Sequence, residues 1–190
     1  MWLQNFDWSV LYWMQDNIRA AWLDGFMSVF TLLGEAGIIW IVCAAALLFF
    51  RKHRRTGVLT LLGLLLGVIV CNLLLKNIVA RPRPFMLDPS VVLAVAPPSE
   101  WSFPSGHASS AAAAAAVLML GNRRLGIPAC AVGLLMCFSR MYLFVHFPTD
   151  ILGGILVGAC LGCAAYFGGG RLYDKIERRL TERRAVNKSE

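Results

Sequence analysis

Residues 57–75 form a run of 19 positions without a single charged side chain. As a helix rising about 1.5 Å per residue, such a run nearly covers the roughly 30 Å hydrocarbon core of a bilayer. There, backbone N–H and C=O groups find partners only inside a helix or a closed barrel. The run therefore reads as a membrane crossing, and the apolar stretches 38–50, 107–121, 125–144 and 151–167 read the same way. The expected fold is all-α: a polytopic transmembrane helix bundle of five crossings, or six if residues 1–33 hold another. Composition agrees, because 58% hydrophobic and 15% charged residues in a chain of 190 is too apolar for a soluble domain, where roughly 25% charged is usual. A single membrane-embedded domain is expected over residues 1–170, followed by a basic tail at 171–190.

The N-terminal segment has a different character. Trp2, Trp8, Trp13 and Trp22, with Tyr12, are mixed with Gln4, Asp7, Gln15, Asp16 and Arg19. Indole rings among polar groups suit the headgroup layer, so residues 1–34 are expected to supply an amphipathic helix lying in the interface. Asp7, Asp16 and Asp24 interrupt its apolar character, and no cleavable leader is expected. Residues 26–33 are too short to span, and Gly34-Glu35-Ala36-Gly37 breaks the pattern before the first crossing.

The formal charge of +7 does not point to nucleic acid, since the basic residues collect at the ends of apolar runs instead of interleaving with aromatics. They set orientation. Residues 51–55 carry four positive side chains, the turn at 122–124 two, and the tail seven basic against four acidic, so these regions are expected in the cytoplasm. All six cysteines, including Cys160 and Cys163, lie inside apolar runs without a neighbouring His or carboxylate, and read as packing residues. The tail, with Glu177-Arg178-Arg179 and Glu182-Arg183-Arg184, reads as a solvated helix near anionic headgroups, with no protein partner expected.

This topology collects Lys76, Arg83, His107, Arg140, His146 and Asp150 at one extracytoplasmic face. Singly, each has an ordinary explanation: snorkelling for Lys76, headgroup anchoring for the arginines, helix capping for His107. Together, three cations, two histidines and a carboxylate at membrane depth are costly unless they serve an anion. Three fixed cations suit a phosphate, Arg as a planar fork and Lys as a point charge. Pro104-Ser105-Gly106-His107 at a helix start adds free backbone N–H groups and the Ser105 hydroxyl. His146 and Asp150, four residues apart, would share one face of a helix, so that the carboxylate holds one ring nitrogen while the other faces the substrate. A two-metal phosphatase needs more oxygen ligands than Asp150, Asp88 and Glu100 provide, so metal-independent phosphoryl transfer without a cofactor is expected.

Lys76-x6-Arg83-Pro84, Pro104-Ser105-Gly106-His107 and Ser139-Arg140-x5-His146-x3-Asp150 together resemble the three-part signature of the type-2 phosphatidic acid phosphatase superfamily. The six-residue spacing selects Arg83 over Arg81, leaving Arg81 as an accessory cation. The resemblance implies His146 as a nucleophile forming a phosphohistidine, Asp150 as its orienting carboxylate and His107 as the acid that protonates the leaving oxygen. Lys76, Arg83, Ser105, Gly106 and Arg140 would hold the phosphoryl oxygens. It also implies a multi-pass protein of a bacterial cytoplasmic membrane acting on a lipid phosphate, with undecaprenyl diphosphate as the first expectation. Phosphatidylglycerophosphate, phosphatidic acid, lipid A and a soluble phosphate are the alternatives. A lipid-phosphate or anion transporter is the non-enzymatic reading, and a vanadate-dependent haloperoxidase the soluble one.

Overall fold

The computed structural model describes residues 2–189, with side chains to residue 183. Its elements are helical among the described residues: α1 (Trp2–Asn17), α2 (Ala21–Leu32), a 3-10 turn at Glu35–Gly37, α3 (Ile38–Phe49) and α4 (Arg54–Gly67). A π-helical segment, Val68–Leu75, carries α4 into the short α5 (Lys76–Val79) and then α6 (Pro84–Leu87). After a long connection come α7 (Gly106–Gly121), α8 (Arg123–Tyr142), α9 (Pro148–Ala164), a second π segment at Ala165–Gly169 and α10 (Gly170–Ser189).

Among the described residues, three helical runs are long and apolar enough to cross a membrane: Arg54–Leu87, Arg123–Tyr142 and Pro148–Arg183. The pair Ala21–Leu32 and Glu35–Phe49, bent by 45°, makes a fourth if taken as one span, while Gly106–Gly121 is apolar but shorter. The break expected at residues 34–37 is present, with Ala36 at φ 49° and Gly37 at φ 72°. Residues 26–33, too short to span alone, become half of a bent unit. Outward-facing Val42, Phe49, Ile127, Leu134 and Leu156 are exposed on these helices, as lipid-facing positions would be.

The core is organised by α7, which packs against α4, α8 and α9. Its alanines Ala108, Ala111, Ala113 and Ala114 are buried. On α9, Gly154, Gly158 and Gly162 recur every fourth residue and so form one stripe. A methyl group at Gly158 would come within 2.2 Å of the Ser109 carbonyl oxygen, and one at Gly154 within 2.6 Å of that of Ser105. Small residues on both faces thus bring the two backbones together, and Ser105 N–H donates to the Asp150 carbonyl at 3.1 Å. This contact sets the starts of α7 and α9 side by side.

The N-terminal segment forms two helices, α1 and α2. It breaks after Asn17, and α1 packs against α8 and α9. Trp2, Trp13 and Trp22 face outward while Leu11, Met14 and Asp7 are buried. At the opposite end of the bundle, Arg55 at the start of α4 pairs with Asp174 of α10 at 2.9 Å and lies over the Tyr166 ring.

Candidate active site

The connection between α8 and α9 is four residues of turn followed by Phe147. Amides of Leu143, Phe144 and Val145 donate back to Ser139, Met141 and Arg140 carbonyls, closing the end of α8. Phe144 adopts φ 59°, a conformation that costs a non-glycine residue about 1 kcal/mol or more. Its ring is buried against Leu11, Trp8 and Tyr12 of α1, which hold it there. The turn delivers His146 into the interior, where its side chain is fully enclosed. His146 therefore precedes α9 instead of sitting on it, and does not share a helical face with Asp150.

Asp150 is in the first turn of α9. Its Oδ2 accepts from Phe147 N–H at 2.8 Å and from the Ser102 hydroxyl at 2.5 Å. Direct approach of Oδ2 to His146 Nδ1 is 3.6 Å, whereas Ser102 Oγ lies 3.3 Å from the same nitrogen. The carboxylate thus caps its helix and reaches the imidazole in company with Ser102. Its Oδ1 accepts from Arg81 Nη1 at 2.6 Å, and Arg81 Nη2 donates to Asp7 at 2.7 Å. Asp7 also accepts from the Thr149 amide at 3.0 Å and the Thr149 hydroxyl at 2.6 Å. Arg81 stacks over Phe147 with its guanidinium carbon 4.2 Å from the ring centroid. Arg81 accordingly supports Asp150 from behind and does not line the cavity.

That cavity, about 820 Å³, is lined by Lys76, Arg83, Gly106, His107, Arg140 and His146 among others. The three cations are almost wholly enclosed, at 5%, 2% and 5% exposure. Arg83 is held by carbonyls: Nε to Glu100 at 2.6 Å and Nη1 to Val145 at 2.9 Å. The same Nη1 lies 3.1 Å from His146 Nε2. Arg140 donates to the Thr31 hydroxyl at 2.6 Å, and its Nε has no partner. Lys76 pairs with the Glu100 carboxylate, and that pairing holds the Glu100 carboxyl below its usual range. Burial, and then the charges of Arg83, Arg140 and Lys76, hold His146 well below the usual imidazole range. A neutral ring with Nδ1–H toward Ser102 and Asp150 leaves the Nε2 lone pair beside Arg83.

Ser105 caps α7, accepting from Ala108 N–H at 3.4 Å, and is buried without lining the cavity, which begins on this helix at Gly106. His107 lines the cavity, and its Nε2 is buried without a partner. Gly34 makes room for it, since a methyl there would lie 2.7 Å from His107 Cδ2. Of the four buried side-chain polar atoms without partners among the described residues, three belong to cavity-lining residues: Asn72 Oδ1, His107 Nε2 and Arg140 Nε. Buried polar groups are normally satisfied, so this concentration marks a place built for a polar ligand. No group of three or more His, Cys, Asp or Glu among the described residues is placed to hold a metal ion.

Asp7, Thr31, Asn72, Glu100 and Ser102 take part in the site without having been singled out for it by the motifs. Ser102, two residues before Pro104, and Asn72, a lone amide in an uncharged run, were detectable by position; Asp7 and Thr31 were not, because nothing local marks them.

A family model described as the PAP2 superfamily matches residues 56–172. The chain is 29% identical over 142 residues to the undecaprenyl-diphosphatase of Sulfolobus acidocaldarius, covering 74% of this chain and 68% of the relative. It is 36% identical over 141 residues to the decaprenylphosphoryl-5-phosphoribose phosphatase of Mycobacterium tuberculosis, covering 73% and 76%. The crystal structure of the transmembrane PAP2-type phosphatidylglycerolphosphate phosphatase of Bacillus subtilis superposes with a TM-score of 0.68 at 31% identity, over 91% of this chain and 86% of that one.

Proposed function

The chain belongs to the PAP2 superfamily of lipid phosphatases, and from that premise we propose that it removes the terminal phosphate of a lipid diphosphate, undecaprenyl diphosphate first, through a phosphohistidine on His146 and without a metal. The observation that carries this reading is the set of three enclosed cations around the imidazole of His146. Two of them are satisfied only by neutral acceptors, so their charge is left for an anion. A phosphoryl group seated there would have Lys76, Arg83 and Arg140 on its equatorial oxygens, where charge develops in the transition state. His146 Nε2 attacks phosphorus in line while His107 protonates the leaving oxygen. His107 then takes a proton from the water that hydrolyses the phosphohistidine and releases inorganic phosphate.

The substrate assignment rests on two supports. The inner cavity wall is aliphatic, with Ile41, Leu61, Leu64, Leu65 and Val68, which suits a hydrocarbon chain. Two relatives act, by their names, on polyprenyl phosphates. Phosphatidylglycerophosphate is the second reading, favoured by the extent of the structural match.

In the proposed topology, the bent pair α2–α3 and the shorter α7 each cross once, giving five crossings with α1 in the interface. The positive-inside rule then puts residues 51–55, 122–124 and the 171–190 tail in the cytoplasm of a bacterial cell and the site on the outer face. Phosphate release in EDTA from undecaprenyl diphosphate, phosphatidylglycerophosphate, phosphatidic acid and lipid A tests the reading. Activity should be highest on the first, survive EDTA and vanish in His146→Ala. Activity lost in EDTA, or kept in that variant, contradicts the mechanism; a different best lipid contradicts the substrate.

A further inference from the structure

We propose that Asn72 contacts the substrate on the leaving-group side of the scissile phosphate, its carboxamide N–H donating to an anionic oxygen of the phosphate that stays on the lipid. This rests on the diphosphate reading above and specifies how that substrate is told from a phosphomonoester. Asn72 is the one amide in the uncharged run 57–75, and a polar group at that depth is costly unless it is used. It lies in the π-helical segment Val68–Leu75, a distortion that recurs at functional positions. It lines the same cavity as Lys76 and His107, yet its Oδ1 is buried without a partner.

The side chain's setting gives its polarity. The position a Gly106 Cβ would take is 2.9 Å from Asn72 Oδ1 but 3.8 Å from Nδ2. The oxygen end therefore leans on the first residue of α7, at the positive end of that helix, and the amino end lies farther off.

Depth gives the role. Asn72 is four residues before Lys76 on the same continuous helical run, so it sits roughly one turn farther into the bundle. On its own helix the lining beyond it is Gly67, Val68, Leu65, Leu64 and Leu61, with Ser109 of α7 opposite Gly67. Asn72 thus marks where this helix's side of the wall changes from cationic to aliphatic. With the scissile phosphoryl among Lys76, Arg83 and Arg140 and its leaving oxygen at His107, the next atoms of the substrate reach this depth. In a lipid diphosphate those atoms include anionic oxygens that an N–H donor satisfies. In phosphatidic acid they are glycerol carbons and ester groups.

The test uses the full-length protein in detergent, with Asn72→Ala and Asn72→Asp beside the unsubstituted chain. Each is assayed on undecaprenyl diphosphate and phosphatidic acid, and for inhibition by orthovanadate, which occupies the phosphoryl position but carries no lipid. Asn72→Ala should lower kcat/KM on the diphosphate by about 10- to 100-fold, as loss of one hydrogen bond to a charged group implies. Activity on phosphatidic acid and the vanadate inhibition constant should both stay within about 3-fold, which also certifies that the variant is folded. Asn72→Asp should lose more on the diphosphate than Asn72→Ala does, through charge repulsion. Equal losses on both lipids with weakened vanadate inhibition, or no loss on the diphosphate, overturn the inference. Failure of the unsubstituted chain to cleave the diphosphate is a separate result, and overturns the substrate reading on which the inference rests.

Discussion

Arg81 and Arg83 are two residues apart and sit in opposite electrostatic settings. Arg81 is clasped by two buried carboxylates, Asp7 and Asp150, and stacks on Phe147. Arg83 is the more deeply buried of the two and is held by the carbonyls of Glu100 and Val145. Around Arg81 the charges sum to less than zero; around Arg83, with Lys76 and Arg140, the one carboxylate in ion-pair contact among the described residues is Glu100, and its side chain is 62% exposed. Fixing an arginine with neutral acceptors positions it without cancelling its charge, so the net attraction is kept for a ligand. Pairing it with carboxylates uses that charge for the scaffold. In the proposed mechanism the same residue type serves binding on one side of His146 and architecture on the other.

Substitutions separate the two sides. Arg83→Ala and Arg140→Ala should each cut kcat/KM by about 10²–10³-fold, as loss of a transition-state donor does, with the thermal midpoint near that of the parent chain. Arg81→Ala should do the reverse first. Stripping the partner from two buried carboxylates costs about 3 kcal/mol, at the low end because the Arg81 side chain is 25% exposed. A thermal scan in detergent should therefore show a clear fall. If Arg81→Ala lost activity at full stability, or Arg83→Ala unfolded, the division would collapse. Asp7→Asn should be milder, about 1–2 kcal/mol, because an amide keeps one acceptor for Thr149.

Two smaller effects probe the cation side. His146 is held below the usual imidazole range by burial and then by Arg83, Arg140 and Lys76. It must be neutral to attack, so lowering the pH should protonate it only well below pH 6.5, and the acid limb of kcat/KM should fall there. Arg83→Gln removes the charge that acts most strongly on His146 and should move that limb upward; a limb that stayed put would separate Arg83 from His146. Glu100→Gln frees Lys76 from its carboxylate, an exposed partner worth about 0.2–1 kcal/mol. Orthovanadate should then inhibit at roughly 2- to 5-fold lower concentration.

The motif residues were legible because the chemistry fixes their local spacing. Lys76 to Arg83 is one helix end and its turn, and Arg140 to His146 is another, so short-range geometry is written into the sequence. The two-residue slip between Arg81 and Arg83 was resolved by that same spacing. What was not legible crosses long separations. Asp7 reaches Thr149 across 142 positions, and Thr31 reaches Arg140 across 109; no local pattern marks either. The bent α2–α3 unit was half visible, since the glycines at 34 and 37 announce a break but not that the helices on either side form one bent pair. The four-residue spacing of His146 and Asp150 suggests one helical face, whereas the positive φ of Phe144, sustained by aromatic packing from α1, places His146 before the helix.

The most direct test of the central claim, that a neutral His146 among unspent cations attacks phosphorus, is rapid acid-free quenching of the enzyme with terminally ³²P-labelled undecaprenyl diphosphate. The account predicts label on the protein that is stable to alkali, lost in acid, as a phosphoramidate is, and absent from His146→Ala. Turnover of the substrate with no such label, or label that persists in His146→Ala, would contradict it.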